Sequence, residues 1–287
     1  MKFFLFLLPL LSGALYAVNN EDSWSSEPLI HAALRADAAG VRQLLEQGGN
    51  PNARSERGYT VLMAAAHAGD VETVRMLLAA GADVHAVTVR QSTVLHSLAR
   101  ADLPYCTGCR GMSQSDVVLE LYRLENQLLE VLDMLLAAGA KVDAPDARGK
   151  TPLFLAMHRH ERLAGRLLAA GANPNARTAD GTTMLMAAAF LRKPDVVRAL
   201  LKRGAEVNAV RSRDGYTALF CAVESERDFA DPEGKARLEV VRLLLDAGAN
   251  QYLKDRRGRE AKDAGGAELR EMLQRGVLPE KKIDRAE

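Results

Sequence analysis

Two short groupings of side chains in this chain could do chemistry. Cys106 and Cys109 form a Cys-x-x-Cys pair, and His158 and His160 stand two residues apart. A Cys-x-x-Cys pair can close a local disulfide, exchange thiols with a client or supply half of a zinc site. The local disulfide is favoured, because thiol exchange needs the pair at a helix start after a strand and no second ligand pair for zinc is evident nearby.

The histidines do not predict a metal site. Residues two apart on a helix point in different directions, and the length of this segment puts His160 in the turn between two helices. The chain also lacks a Gly-x-Ser-x-Gly nucleophile motif, a phosphate-binding glycine loop and a His-Glu-x-x-His zinc motif. The sequence therefore predicts a protein without catalytic residues, metal or cofactor, and a buried structural thiol at Cys221.

The elements that hold these residues recur along the chain. A Leu-Leu-x-x-Gly ending or a near variant recurs at intervals of 33, 58, 32, 33 and 44 residues, at Gly48, Gly81, Gly139, Gly171, Gly204 and Gly248. Four units open with Gly-x-Thr-x-Leu, at residues 58–62, 149–153, 181–185 and 215–219. The threonine predicts a helix start and the later glycine a helix end. A pair of short helices cannot bury its apolar faces alone, so the repeat predicts a stack.

This repeat resembles the ankyrin repeat, whose Thr-Pro-Leu-His-x-Ala motif is matched by residues 151–156. The resemblance implies an all-α solenoid of about seven helix-turn-helix units over residues 27–276, with short hairpin loops and inter-helix insertions at about 100–128 and 225–236. The motif histidine survives only as His96. Apolar packing is expected to replace its hydrogen bonds in the other units.

The two insertions differ in character. From Asp116 to Ala138 the chain has no Gly or Pro, and leucines recur at spacings of three and four residues. This pattern predicts one helix of about twice the usual length, which must protrude beyond its neighbours. The second insertion is charged and contains Asp-Pro-Glu-Gly, which predicts a surface loop.

The chain ends predict export. Residues 1–17 combine a positive start, an apolar run and a small residue at Ala17, which is typical of a secretory signal peptide; an uncleaved anchor helix is the alternative. Residues 18–26 read as a polar leader and residues 277–287 as a charged tail. We expect a periplasmic protein with no membrane span after cleavage. Because 38 basic residues face 37 acidic ones, we expect no nucleic-acid partner.

The resemblance also implies a binding surface, formed by the loop tips and the exposed ends of the first helices. Tip arginines side by side would form a basic ladder for a partner with an acidic patch, unless nearby Asp146, Asp180, Asp214 and Asp255 neutralise them. Arg100, at the end of another first helix, lies on the same predicted surface. The predicted partner-binding residues are Arg54, Arg57, Tyr59, His67, Arg90, Arg148, Lys150, Arg159, Arg177, Phe190, Leu191, Arg211, Arg213 and Tyr216.

Two classes of function remain open at this point. The first is an exported module that scaffolds or inhibits a partner protein, for example a periplasmic immunity protein that covers a toxic enzyme. The second is a thiol-disulfide or client-docking protein that uses the Cys106–Cys109 loop. Neither the identity of the partner nor the oligomeric state follows from the sequence.

Overall fold

The computed structural model describes residues 27–101, 113–224 and 234–264. Within them the chain folds into thirteen α-helices, which fall into two compact units that divide between Ala147 and Arg148. Among these helices none has the length and apolarity to cross a bilayer. The signal segment, the polar leader, the Cys106–Cys109 pair, most of the second insertion and the charged tail lie outside the described residues, and stay predictions.

Each unit is built from successive helix pairs. The first unit contains α1 Pro28–Leu34, α2 Ala38–Glu46, α3 Val61–Ala68, α4 Val71–Ala79, α5 Val94–Ala99 and α6 Gln114–Ala137. The second contains α7 Pro152–Arg159, α8 Glu161–Ala169, α9 Met184–Phe190, α10 Pro194–Lys202, α11 Ala218–Glu224, α12 Lys235–Asp246 and α13 Ala261–Ala264. The described helices therefore make six pairs and the first helix of a seventh, and the predicted all-α repeat fold is confirmed.

Threonine side chains start the first helices of the pairs. Thr60 Oγ1 accepts the backbone N–H three residues further on at 3.2 Å, and Thr151 and Thr183 cap α7 and α9 in the same way. At α5 the surviving motif histidine adds a second bond, because the backbone N–H of Thr93 donates to His96 Nδ1 at 3.1 Å. Each cap satisfies a backbone donor that the helix itself leaves open.

Left-handed glycines end the second helices. Gly81 has a φ of 81°, and the N–H of Ala82 returns to the carbonyl of Leu77 at 2.9 Å. This conformation satisfies the last helical carbonyls and strains any residue with a Cβ. The other predicted helix-ending glycines share the positive φ: Gly48, Gly139, Gly171, Gly204 and Gly248.

The core of each unit lies between stacked helices. In the first unit α3 packs between α1 and α5, and in the second unit α11 packs between α9 and α13. Residues 64–66 of α3 are alanines without solvent exposure, so the first helices can approach closely. Leu77 of α4 and Leu200 of α10 are equally buried and supply the bulk from the second helices. Each pair thus hides its apolar faces against its neighbours.

The first insertion produces the long helix that the sequence predicts. Helix α6 has 24 residues against nine in α4, a length of about 36 Å. Ser113 and Asp116 form a capping box at its start. Its second half packs through Leu132 and Leu135, which are fully buried, whereas Leu119 in its first half is 66% exposed.

Hairpin tips connect the repeats and bond to one another within each unit. In the first unit the N–H of Val89 donates to the carbonyl of Arg57 at 3.0 Å. In the second unit the N–H of Ala179 donates to the carbonyl of Arg148 at 2.9 Å. Gly149 follows Arg148 with a φ of 71°, and a Cβ there would lie 2.8 Å from the nitrogen of Ala179. The absence of a side chain at Gly149 is therefore what permits this approach of two tips.

Candidate partner-binding face

The predicted binding residues lie on two surfaces, which we call the tip faces. The tip face of a unit consists of its hairpin tips and the C-terminal ends of its first helices. The tip face of the first unit holds Arg54, Arg57, Tyr59, His67 and Arg90, and that of the second unit holds Arg148, Lys150, Arg159, Arg177, Phe190, Leu191, Arg211, Arg213 and Tyr216.

Three arginines of the first tip face converge on one small cleft, which we call the arginine cleft. Its volume is about 50 Å³, and its lining consists of Arg57, Tyr59, Thr88, Val89, Arg90, Ser92, Ser97 and Arg100. Arg100 is fixed from two sides, because its Nη1 donates to Ser92 Oγ at 3.3 Å and its Nη2 lies 3.5 Å from Asp146 Oδ2. Asp146 thus partly neutralises an arginine of the binding surface, as the sequence analysis allows.

The walls of this cleft are tied to the helices behind them. Tyr59 OH donates to the carbonyl of Met63 at 3.2 Å, so the ring is held against α3. His67 Nδ1 lies 3.4 Å from the carbonyl of Ser97, one residue that lines the cleft. The predicted residues Tyr59 and His67 are therefore half-buried. Tyr59 lines the cleft, whereas His67 contacts it only through Ser97.

Several of the other tip arginines have acidic neighbours. Arg54 pairs with Asp83 at 3.3 Å and Arg177 with Glu206 at 2.9 Å, and each of these acids comes from the following repeat. Arg211 pairs with Asp214 within its own tip at 2.7 Å. The basic ladder is thus interrupted by negative charge at these positions. Asp214 is one of the four acids that the sequence indicates for this role, whereas Asp83 and Glu206 are not.

Asp180 and Asp214 also lower the positive charge of the second tip face. Arg213 lies 3.6 Å from Asp180 Oδ2 and 3.5 Å from Asp214 Oδ2. The side-chain hydrogen bond from Thr178 lowers the pKa of Asp180, so this carboxylate stays ionised into acid solution. Exposed pairs of this kind add little to stability, and their effect is on the surface potential.

Arg259 is a tip residue that the sequence prediction missed. It donates to Asp255 Oδ2 at 2.9 Å, to Tyr216 OH at 3.0 Å and to Glu224 Oε1 at 3.1 Å. The hydrogen bond to Asp255 is the largest cause of its raised pKa. The signal that could have found it is the repeat register, since Arg259 follows Gly258 as Tyr216 follows its own tip glycine.

Aromatic rings occupy the rest of the second tip face. Phe190 is 58% exposed at the end of α9, as the sequence predicts, and Leu191 beside it is half-buried. Tyr216 stacks on Phe220 with 5.3 Å between ring centroids. Lys150 Nζ lies 5.0 Å from the centroid of the Phe154 ring. Phe190 is therefore a large apolar side chain that this face presents to solvent.

His158 adds a group that titrates on the same face. Its ring lies 5.7 Å from that of Phe154 at the end of α7. Although the residue as a whole is exposed, desolvation of its ring lowers the pKa of His158, and the positive charges of Lys150, Arg159 and Lys193 lower it further. The neutral imidazole is thus the favoured form beside these cations.

The histidine, cysteine and acidic side chains of the described residues do not gather into a metal site. Among residues 27–101, 113–224 and 234–264, no group of three or more His, Cys, Asp and Glu side chains could hold a metal ion. His160 is buried in the turn between α7 and α8, whereas His158 is exposed, so the two do not form a pair. Cys221 is a free, buried thiol, as predicted, and burial raises its pKa to about 12.

Comparison with protein families and curated proteins gives consistent matches. A family model for ankyrin repeats, three copies long, matches residues 3–88, 122–211 and 160–255. The chain is 35% identical over 135 residues to an ankyrin repeat-containing protein of Treponema pallidum (strain Nichols), covering 46% of this chain and 42% of that protein. It is 32% identical over 156 residues to the B-cell lymphoma 3 protein of Homo sapiens, covering 45% and 34%. The chain spans less than half the length of each relative.

Comparison with solved structures matches nearly the whole chain. The human ASB11 ankyrin repeat domain aligns with a TM-score of 0.64 and 25% identity, covering 88% of this chain and 98% of that one. The ankyrin repeat domain of Bcl-3 aligns with a TM-score of 0.63 and 22% identity, covering 88% and 100%. At this identity the second match is evidence for the fold alone.

Proposed function

Because this chain belongs to the ankyrin-repeat family, we propose that it is an exported, non-catalytic protein that binds a partner protein through its tip faces. Ankyrin repeats mediate protein–protein interaction and are typically not enzymes. The observation on which the proposal depends is the exposure of Phe190. Its ring is 58% exposed, although Ala188 and Ala189 beside it in α9 are fully buried.

Phe190 has the properties of an interface anchor. Burying a side chain of this size against a partner contributes about 1.5–3 kcal/mol, and hot spots are typically large side chains surrounded by polar ones. Lys150, Arg159 and Arg213 are charged residues of the same tip face. The neighbouring ring of Tyr216 is fixed by Phe220 and Arg259, so little side-chain freedom is lost there when a partner binds.

A capture experiment tests this role. The mature chain, Phe190→Ala and the matched control Tyr252→Ala are immobilised and exposed to the exported protein fraction of the source cells. Tyr252 is 67% exposed in the same unit and stands in the turn that precedes the hairpin closed by the Lys254–Glu260 bridge. We expect Phe190→Ala to lose at least about tenfold in affinity for the captured partner, and Tyr252→Ala to keep it. Equal losses in both variants would contradict binding through the tip face.

We place the protein in the periplasm, on the basis of the signal-like residues 1–17. The ankyrin family match begins at residue 3 and overlaps this segment, so processing needs a direct test. Intact-mass measurement of protein from the exported fraction should give a chain that begins at Val18. A mass that corresponds to the full 287 residues would contradict cleavage.

Within this role, we propose inhibition of a toxic or lytic enzyme by non-covalent occlusion. A non-catalytic binding protein is sufficient for such inhibition, because a bound surface can block the active site of the enzyme. The competing redox function places the chemistry at Cys106 and Cys109. Replacing both by serine should leave partner binding and inhibition unchanged, whereas loss of function with intact binding would favour the redox alternative.

A further inference from the structure

The arginine cleft of the first tip face has an unusual composition. Of its eight lining residues three are arginines and none is acidic. One acid, Asp146, lies 3.5 Å from Arg100. The lining therefore brings three guanidinium groups together within a chain whose net charge is only +1.

One guanidinium of this cleft and the backbone of the other two arginines are held in place. Arg100 is held by Ser92 Oγ at 3.3 Å and by Asp146 at 3.5 Å. The backbone of the two tip arginines is fixed, because the carbonyl of Arg57 accepts from Val89 at 3.0 Å and that of Arg90 accepts from Ala147 at 2.9 Å. A guanidinium has five N–H donors, so one that already has a partner can still donate to a ligand.

We propose that the arginine cleft binds a carboxylate, namely an aspartate or glutamate side chain presented by the partner protein. This inference rests on the proposed function, since it assumes a protein partner. The cavity of about 50 Å³ has room for about four waters, and a carboxylate with its neighbouring methylene is of about that size. Arginine pairs with carboxylate through parallel hydrogen bonds that are stronger than neutral ones.

The surroundings favour a protein carboxylate over a nucleic acid. A phosphate backbone is bound by an extended basic track, but the adjacent tip position Arg54 faces Asp83. Tyr59 is held by its hydroxyl group at 3.2 Å from the Met63 carbonyl, and Ser92 and Ser97 are buried hydroxyl-bearing residues at the base of the cleft. This lining suits one small anion.

Arginine side-chain NMR on the full chain tests the proposal. The protein is titrated with a short peptide that contains a single glutamate, with the same peptide containing glutamine, and with inorganic phosphate. The glutamate peptide should shift the Nε–H signals of Arg57, Arg90 and Arg100, and the glutamine peptide should not. Arg57→Gln and Arg90→Gln should each weaken binding about tenfold. Both residues are exposed, so these variants should fold.

The matched control is Arg75→Gln. Arg75 is an exposed arginine of α4 that pairs with Glu130 at 3.1 Å and does not line the cleft. The proposal is overturned if Arg75→Gln weakens the glutamate peptide as much as the cleft variants, if the glutamine peptide binds equally well, or if phosphate alone binds.

The outcome is separable from that of the proposed function. If a captured partner depends on Phe190 but binds equally well to Arg57→Gln, only the carboxylate inference fails. If the tip face captures no partner at all, the proposed function fails, and the peptide titration still reports on the chemistry of the cleft.

Discussion

A glycine at a tip contact should matter far more than a glycine at a helix end. Gly149 and Gly171 both have positive φ values, of 71° and 93°. A Cβ on Gly149 would lie 2.8 Å from the nitrogen of Ala179 and 3.1 Å from the carbonyl carbon of Thr178. A Cβ on Gly171 would meet nothing within 4 Å. The two alanine variants therefore share the backbone strain, and only Gly149→Ala has the clash.

The magnitudes follow from these contacts. A left-handed alanine costs about 1–2 kcal/mol, of which about 0.4–1 kcal/mol is offset by reduced freedom in the unfolded chain. Gly171→Ala should therefore lower the free energy of unfolding by about 1 kcal/mol. In Gly149→Ala the clash pushes the next tip away and weakens the bond from Ala179 to Arg148, which adds about 2 kcal/mol.

Two measurements check this difference. Urea unfolding followed by circular dichroism should show a loss of about 3 kcal/mol for Gly149→Ala and about 1 kcal/mol for Gly171→Ala. Hydrogen exchange at the Ala179 amide, which donates to Arg148 at 2.9 Å, should accelerate in Gly149→Ala beyond what the global change in stability explains. If the two variants were equally destabilised and the Ala179 amide were equally protected from exchange in both, the contact between these two tips would not require glycine at position 149.

Three further predictions concern single side chains. Cys221, whose pKa burial raises to about 12, should resist alkylation at pH 8 in the folded protein and react after unfolding, as peptide mass spectrometry can show; rapid native labelling would contradict its burial. Desolvation and nearby cations lower the pKa of His158 below 6.5, so its contribution to stability is present above pH 6.5 and is lost as the pH falls. His158→Asn should therefore reduce the fall of the melting temperature below pH 6.5. An unchanged dependence of melting temperature on pH would contradict this prediction. Gln91 has a φ of 60° where other tips have glycine, so Gln91→Gly should leave stability unchanged or raise it by up to about 1 kcal/mol in a thermal melt, and clear destabilisation would contradict the strain.

The repeat pattern predicts the local structure well, because its signals are local. Thr60 and Thr183 cap helices within three residues of themselves, and Gly81 ends its helix by its own backbone conformation. The double length of α6 follows equally from an uninterrupted helical pattern. These interactions can be predicted from a single repeat, because they do not involve the neighbouring one.

The charges of the tip faces could be predicted only in part, because they depend on residues far along the chain. Arg177 meets Glu206 from the following repeat, and the sequence alone does not give the rotamers that bring them together. The sequence predicts Tyr216 at the binding surface but does not show that its ring stacks on Phe220, which replaces the motif histidine. Arg259 would have emerged from the repeat register.

Photo-crosslinking in the source cells tests the central claim most directly. A benzophenone amino acid is introduced at Phe190, which is exposed on the tip face, and separately at Lys202, which is exposed near the end of the second helix α10. Binding through the tip face predicts one discrete crosslinked partner protein from position 190 and none from position 202. Crosslinks to that partner from position 202 alone would contradict the account.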